Sequence, residues 1–590
     1  MQQGDKNPFR RNQFGFVFDG RIIRNRLWFL SNFEGQRDTR TVQGLANVAP
    51  SPWRSGDFSG QPTVIFDPDT RQFNEAGRAL SATPFAGNRI PATRLNPVAA
   101  RLLEFYPEAT VPGQNLVSNF VRQRKRPINT DQFTQRFDFA ESSRSAWFGR
   151  FSLGDEFERR LENFEQQEGG VNVNVFQTMV SNTRTLSPNV VNETRFGYNR
   201  FDSDLLLRYA NERDVTKELG IRGLVSPPKK GWGTPAIQLG GGLSGFGESG
   251  NGPWIYRNRT MQFLNNTSWV RGKHAFRFGV EARRDIYGAE GNTVARGRLY
   301  YQGLLSIAPG GRAAAPNIFA DFMLGLPQRG ERALGLASAS LRTISWYGYF
   351  EDTWRLTPKV TLNLGLRYEL TPPWFEPNQR IMNIQMLGWD AAKIPILTRA
   401  GTGDFNEGLQ FRFADGIPTQ TGDDKLGRRL INTDYSDWAP RLGIAWSPVS
   451  RMTVRAGAGL FYTQDQGNPR FDMVRNTAGR GDFTGSDQRP NMTTDDPWRF
   501  ERQSFTCSGW AGNCVGQPFV LGNVVSRRTR YVGQWLLNIQ REVTSHLMVE
   551  VGYLGNIGRK LERLRSTNEA FTKTGPNDTR SISQRRIFPT

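Results

Sequence analysis

Seven times along this chain, two runs of alternating apolar and polar residues meet at a tight turn, and long polar connections separate each pair from the next. The clearest pair covers 341–370. In its second run Leu362, Leu364, Leu366, Tyr368 and Leu370 alternate with Thr361, Asn363, Gly365, Arg367 and Glu369, which puts every apolar side chain on one face of a strand. The first run sets Ile344, Trp346, Gly348, Phe350, Trp354 and Leu356 against Ser345, Tyr347, Tyr349, Glu351, Thr353 and Arg355, with Asp352 alone on the apolar side. Pro358 presets the turn between them. Segments 13–34, 131–153, 171–202, 256–286, 438–463 and 527–554 repeat the plan, with turns at 19–25, 141–144, 185–189, 271–273, 447–451 and 544–546. The connections 35–130, 203–255, 287–340, 371–437 and 464–526 are far longer. Short turns on one side and long loops on the other are the asymmetry of an outer-membrane barrel, whose periplasmic turns are tight and whose outer loops meet ligands.

Alternation also suits a soluble β-sandwich or propeller with one wet face. Three features weigh against that. Many runs reach the roughly nine to eleven residues a tilted strand needs to cross a bilayer, where soluble strands average about five or six. Aromatic residues gather near strand ends, as at Trp28/Phe29, Trp147/Phe148, Trp269, Trp354 and Phe461/Tyr462, where an interfacial girdle sits. The connections exceed the roughly two to five residues usual in soluble hairpins. A mean hydropathy of -0.55, with no run of about 18 apolar residues, excludes a helical membrane protein but not a barrel, whose alternating faces average out. The expected fold is all-β: an antiparallel transmembrane β-barrel of about fourteen strands with long extracellular loops.

A net charge of +21 raises the question of nucleic acid. The arginines are scattered through turns, loops and the wet faces of strands, as Arg195, Arg277, Arg283, Arg367 and Arg455 show, and the one dense run, 122–126, lacks interleaved stacking aromatics. No nucleic-acid partner is read. The same charge suits the steering of anionic ligands or contact with outer-membrane lipid. Cys507 and Cys514 have six residues between them in one connection, and in an exported loop they read as a local disulfide. The only histidines, His274 and His546, open strands after tight turns, so histidine-based catalysis or metal binding has little material. Gly245, Gly247 and Gly250 fit a dinucleotide fingerprint, but a strand follows instead of the helix that would receive a pyrophosphate. Asp67, Asp69, Asp434 and Asp437 read as turn carboxylates before a calcium pair. No cofactor, metal site or constellation of acid, base and nucleophile is found, and an enzyme is not expected.

Residues 84–107, PFAGNRIPATRLNPVAARLLEFYP, form the most organised connection. Asn96 is a good helix N-cap, Pro97 a good first helical residue, and Leu102, Leu103 and Phe105 supply an apolar side. This segment, with NPFRRNQFGFVFDGRIIRNRLWFLSNFEG at 7–35, LSPNVVNETRFGYNR at 186–200, WVRGKHAFRFGVEARR at 269–284, YGYFEDTWRLTPKVTLNLGLRYE at 347–369 and RLGIAWSPVSRMTVRAGAGLFY at 441–462, resembles the barrel portion of Oar-like TonB-dependent outer-membrane transporters. The resemblance covers nearly the whole chain. It implies residence in the outer membrane of a Gram-negative bacterium, and capture of a small or oligomeric ligand by outer loops. It also implies passage of that ligand through the lumen when an energised TonB complex pulls a plug domain.

The chain departs from that family at both ends. Residues 1–6 lack the basic and apolar regions of a signal peptide, no plug or regulatory-like domain precedes residue 7, and the last strand near Leu554 is followed by a polar tail. Seven pairs give about fourteen strands against about 22 in such transporters. The expectation is a barrel domain over 1–590 that is partial, with 35–130 as a long extracellular insert carrying a short helix, and with unpaired edges that would favour aggregation over insertion when alone. A surface-binding barrel without transport is the alternative reading. Candidate ligand contacts are aromatics stranded in polar connections: Trp232, Phe246, Trp254, Trp374, Trp389 and Trp510. Packing within their own loops is the competing role for each.

Overall fold

Each of the seven alternating pairs forms an antiparallel hairpin, and the hairpins join edge to edge in chain order into one fourteen-stranded sheet. The structure is a computed structural model describing residues 8–111, 116–224, 228–333, 335–385, 396–401, 419–421, 427–478, 480–498, 522–564 and 572–585. The strands are β1 (Phe9–Ile23), β2 (Leu27–Ala46), β3 (Phe120–Ser142), β4 (Ser145–Arg160), β5 (Gly169–Ser187), β6 (Val190–Leu207) and β7 (Asn251–Arg271). They continue through β8 (His274–Thr293), β9 (Ala337–Thr357), β10 (Val360–Leu370), β11 (Trp438–Trp446), β12 (Met452–Tyr462), β13 (Tyr531–Thr544) and β14 (Leu547–Arg559). Six of the seven hairpin turns fall where the sequence places them; the first, expected at 19–25, comes at 24–26 because β1 runs on through Ile23. Among the described residues β1 pairs only with β2 and β14 only with β13, so the sheet has two edges and is not closed.

The apolar face is the open one. Trp346 is 57% exposed while its neighbour Ser345 is 1% exposed, and Phe278, Val280, Ile344 and Phe350 share the open side. A soluble sandwich would bury the aromatics and wet the serine; here hydrocarbon is the solvent that the outer face fits. The arginines assigned to wet faces, Arg195, Arg277, Arg283, Arg367 and Arg455, alternate with outward residues and so point inward, where pairs such as Arg367 with Glu369 (2.9 Å) neutralise them.

Several polar residues on the outer face are matched to one another. Asn192 Nδ2 donates to Asn265 Oδ1 (3.0 Å) and Thr267 Oγ1 (2.9 Å), and Asn265 Nδ2 donates to Thr194 Oγ1 (2.8 Å). Asp352, the one exception in its strand, pairs with His274 Nδ1 at 2.7 Å. Away from the tight turns, Arg257 with Asp204 and Arg259 with Asp202 form a charged belt that ends the apolar zone.

The strands are longer than their hydrophobic pattern. β7, β8 and β9 have 21, 20 and 21 residues. At about 3.3 Å per residue and a tilt of about 40°, such strands climb ~50 Å, twice the ~25 Å apolar band. The connections are correspondingly shorter than the sequence suggests: 47–119 in place of 35–130, 208–250 in place of 203–255, and 294–336 in place of 287–340.

These connections fold together. Val48, Trp53, Phe58, Leu102 and Tyr106 from the first pack with Phe164 from the next, with Ile237 and Phe246, with Tyr301, Phe319 and Phe322, and with Met492 and Trp498 from the connection between β12 and β13. A four-stranded sheet knits three of them, with Ala236–Leu239 parallel to Arg298–Tyr301, followed by Arg329–Ala333 and Arg480–Thr484. Helix α1 (Pro97–Leu102) begins at Asn96, whose Oδ1 accepts from the amides of Val98 and Ala99, and buries Leu102; Phe105 follows it into the core. Helix α2 (Ala315–Met323) is buried along its whole length. The result is a cap with its own apolar core at the end of the sheet opposite the tight turns.

Candidate functional site

Level with the charged belt, on the opposite face of the sheet, the inward faces of β7, β8 and β9 line a cavity of about 170 Å³. Its wall is polar: Asn258 and Thr260 from β7, Arg283 and Asp285 from β8, Thr343 and Ser345 from β9. Asp285 organises it, accepting from Thr260 Oγ1 (2.7 Å) and Arg283 Nε (3.0 Å). Arg283 Nη1 also donates to Gln464 Oε1 (2.9 Å), and Gln464 Nε2 donates to the Tyr347 hydroxyl (2.9 Å). Tyr287 and Trp374 close one end, ring centroids 6.3 Å apart and edge-on. Sites for drug-sized ligands hold roughly 300–1,000 Å³, so this cavity takes one small polar group, or part of a larger ligand.

Helix α3 (Gly467–Ala478) covers the wall from within, packing Phe471, Met473 and Val474 against Ala289, Ala337, Ala339 and Leu341. Its start is pinned by Arg470, fully buried, whose Nε and Nη2 each donate to Asp465 at 3.1 Å. Arg527 reaches Asp465 (2.9 Å) and Glu562 (2.8 Å), so one ion network joins the helix to the segments beside β13 and β14.

Two sequence candidates meet at this wall. Trp374 is buried against Tyr287 and donates Nε1–H to the Asp465 carbonyl (3.3 Å). Trp254, half-buried, packs edge-on to Phe471 (6.3 Å), with the Arg475 guanidinium 5.4 Å over its ring. The other two lie in the cap. Phe246 is 1% exposed, between Tyr106 (4.8 Å) and Phe322 (5.5 Å) in the cap core; Trp232 is half-buried with Lys229 Nζ 5.7 Å over its ring. Trp389, Trp510, Cys507 and Cys514 lie outside the described residues. Asp67 and Asp69 are both held by Arg94, at 2.8 and 2.6 Å. Sequence reasoning missed Arg283, Asp285, Tyr287 and Gln464. For the three on β8 the available signal was the inward-facing period itself, 283, 285 and 287, alternating with outward residues up to Ile286.

Buried carboxylates tie the cap together. Asp321 on α2 accepts from the amides of Leu305 (3.1 Å) and Ser306 (2.9 Å) and from Gln328 Nε2 (2.9 Å); burial pushes its carboxyl up to about 7 against those donors. Glu248 accepts from the amides of Tyr209 (2.9 Å) and Thr234 (3.1 Å), with Arg296 Nε 3.3 Å away, and burial pushes it up to about 7 against the pull of that guanidinium. Asp434 goes the other way: burial alone would raise it, but Ser436, the Thr529 amide and Arg528 bring it down to about 2. Arrays of donors around fixed carboxylates hold loops in place.

No curated protein is matched by the sequence. Among solved structures, the chain is similar to the outer membrane transporter YddB from Escherichia coli, with 9% identity and a TM-score of 0.46 over 92% of this chain and 46% of that one. It is similar to the siderophore receptor PirA from Acinetobacter baumannii, with 9% identity and a TM-score of 0.40 over 94% and 50% of the two chains. A mutant of the ferric enterobactin receptor PfeA from Pseudomonas aeruginosa gives 10% identity and a TM-score of 0.39 over 100% and 55%. The chain spans about half the length of these structures. A family model described as the outer membrane beta barrel domain matches residues 1–590, in keeping with an open apolar face around a covered polar wall, and the chain therefore belongs to the outer-membrane β-barrel domain family and resides in the outer membrane.

Proposed function

We propose that this chain is the barrel domain, over 1–590, of an Oar-like TonB-dependent receptor. It captures ligand at its outer end and passes it through the lumen when a plug, engaged by the TonB complex, is displaced. Binding and energised passage, with no bond chemistry, are its work. The observation that carries the reading is the cap: five separate connections share one apolar core at the end of the sheet opposite the tight turns, beside a polar cavity in the inner wall. Binding residues concentrate on loops that a rigid scaffold holds in place. In this reading the insert within 35–130 is extracellular, Trp254 and Trp374 frame the inner-wall subsite, and Trp232 offers a contact on the cap.

An antibody against residues 84–107, applied to outer-membrane fractions with and without boiling, tests this together with cross-linking to the energy-coupling protein. A heat-shifted band well above 66.8 kDa that cross-links to TonB is the expected outcome. A band at 66.8 kDa in the membrane with no cross-link would favour a surface-binding barrel without transport.

A further inference from the structure

Far from the cap, the tight turn between β7 and β8 carries features that ligand capture does not use. Gly272 takes the left-handed conformation (φ 61°) that closes this turn and leaves Arg271 and Lys273 exposed beside it. Trp269, Phe276 and Trp354 share the lipid-facing side of β7, β8 and β9 here. The His274 ring lies between two of them, 5.3 Å from Phe276 and 5.3 Å from Trp354 and nearly parallel to both. Asp352 fixes that ring through Nδ1. Together these residues line a groove of about 520 Å³.

The charges in the groove do not balance. Arg271 lies over the Trp269 ring at 5.6 Å, and among the described residues neither Arg271 nor Lys273 has a carboxylate partner. Asp352, the acid beside the groove, is engaged by His274. At other tight turns Arg184 meets Glu141 and Arg451 meets Glu542, while Arg24 and Arg144 have no carboxylate partner among the described residues; here the unmatched cations rim the aromatic groove. Two unmatched cations at the rim of an aromatic slab, on a face built for hydrocarbon, call for an amphiphile with an anionic end. Aromatic rings receive its glycerol and upper acyl region, and the cations receive its phosphate.

We propose that the groove formed by Trp269, Arg271, Lys273, His274, Phe276 and Trp354 is a headgroup site for a glycerophospholipid of the leaflet on the tight-turn side. The inference rests on the outer-membrane topology proposed above, which makes that leaflet the periplasmic one. Asp352 and His274 are positioning residues: they keep a ring between the two flanking aromatics and so hold the slab flat.

The test is native mass spectrometry of the full-length protein extracted from outer membranes in mild detergent, stripped of lipid and offered dioleoyl phosphatidylglycerol. The wild type is expected to retain one lipid per chain, and Arg271→Gln/Lys273→Gln to lose retention about tenfold. The charge-preserving Arg271→Lys should retain it, as should Lys359→Gln at the neighbouring turn. Dioleoylglycerol should not bind, and glycerol phosphate should not displace the lipid. Heat-dependent gel mobility establishes that each variant is folded, and the single variants Arg271→Gln and Lys273→Gln, each expected to weaken retention, stand in for a double variant that is not. Undiminished retention in the folded double variant overturns the proposal, as does equal loss in Lys359→Gln, which would mean general surface charge. Displacement by glycerol phosphate would make this a site for a free anion and also overturns it. Recovery of the protein outside the outer-membrane fraction would defeat the topology instead, a separate outcome.

Discussion

Single side chains decide how firmly the cap holds. Asp321 faces three N–H donors. In Asp321→Asn one oxygen becomes an NH2 that meets a donor, so the cap should lose ~2–3 kcal/mol, read as a lower unfolding midpoint in denaturant. Gly233 sits at φ 150°, where an added Cβ would come within 1.5 Å of a Glu248 oxygen; Gly233→Ala should therefore disturb the Glu248–Arg296 pair and destabilise the same unit. The titrations have definite signs. Asp321 and Glu248 have folded values of about 7, above the unfolded carboxylate range near 4. The unfolded chain therefore loses its protons first, and cap stability should fall as pH rises from about 4 to 7, then level off. Asp434, held at about 2, acts oppositely: its contribution is present above about pH 4 and is lost as pH falls towards 2. Hydrogen exchange of cap amides between pH 4 and 8, with Glu248→Gln as the comparison, measures the first slope.

Helix α3 is the element on which the inner-wall cavity depends, because it supplies the cover and its Asp465–Arg470 pair fixes its start. Removing one partner of a buried pair leaves the other charge uncompensated, so Asp465→Asn should cost about 3 kcal/mol and detach the helix from β9, opening Trp374 to solvent. Tryptophan fluorescence quenching by acrylamide reads that change. The hairpins themselves were legible in the sequence because a membrane strand writes its outer face as an apolar period of two, and all seven were readable that way. Strand ends were not. The outward pattern stops where hydrocarbon stops, at Arg257 and Arg259, while the hydrogen-bonded ladder runs on to Asn251. The cap was legible only at Asn96 and its helix, whose capping is local. Its core joins residues as far apart as Trp53 and Trp498, and no local period records such contacts. For the same reason Phe246 stood out as a stranded aromatic, although its partners Tyr106 and Phe322 come from other connections.

At the scale of the molecule, cap and sheet are held by different solvents, the cap by an aqueous-type apolar core and the sheet by surrounding hydrocarbon. They should unfold separately: mild urea on intact cells should expose the cap to added trypsin while the hairpins stay protected, and fragments cut between residues 47 and 119 should appear first on blots. Simultaneous loss of cap and hairpins at one urea concentration would contradict that division. The length of β7, β8 and β9 bears on what can reach such a cap. Strands that climb ~50 Å through a ~25 Å apolar band lift their far ends ~25 Å clear of the lipid. In the proposed orientation, with the cap outermost, it would stand above the inner sugars of the surface lipopolysaccharide, within reach of bulky polymers and antibodies that never penetrate that brush.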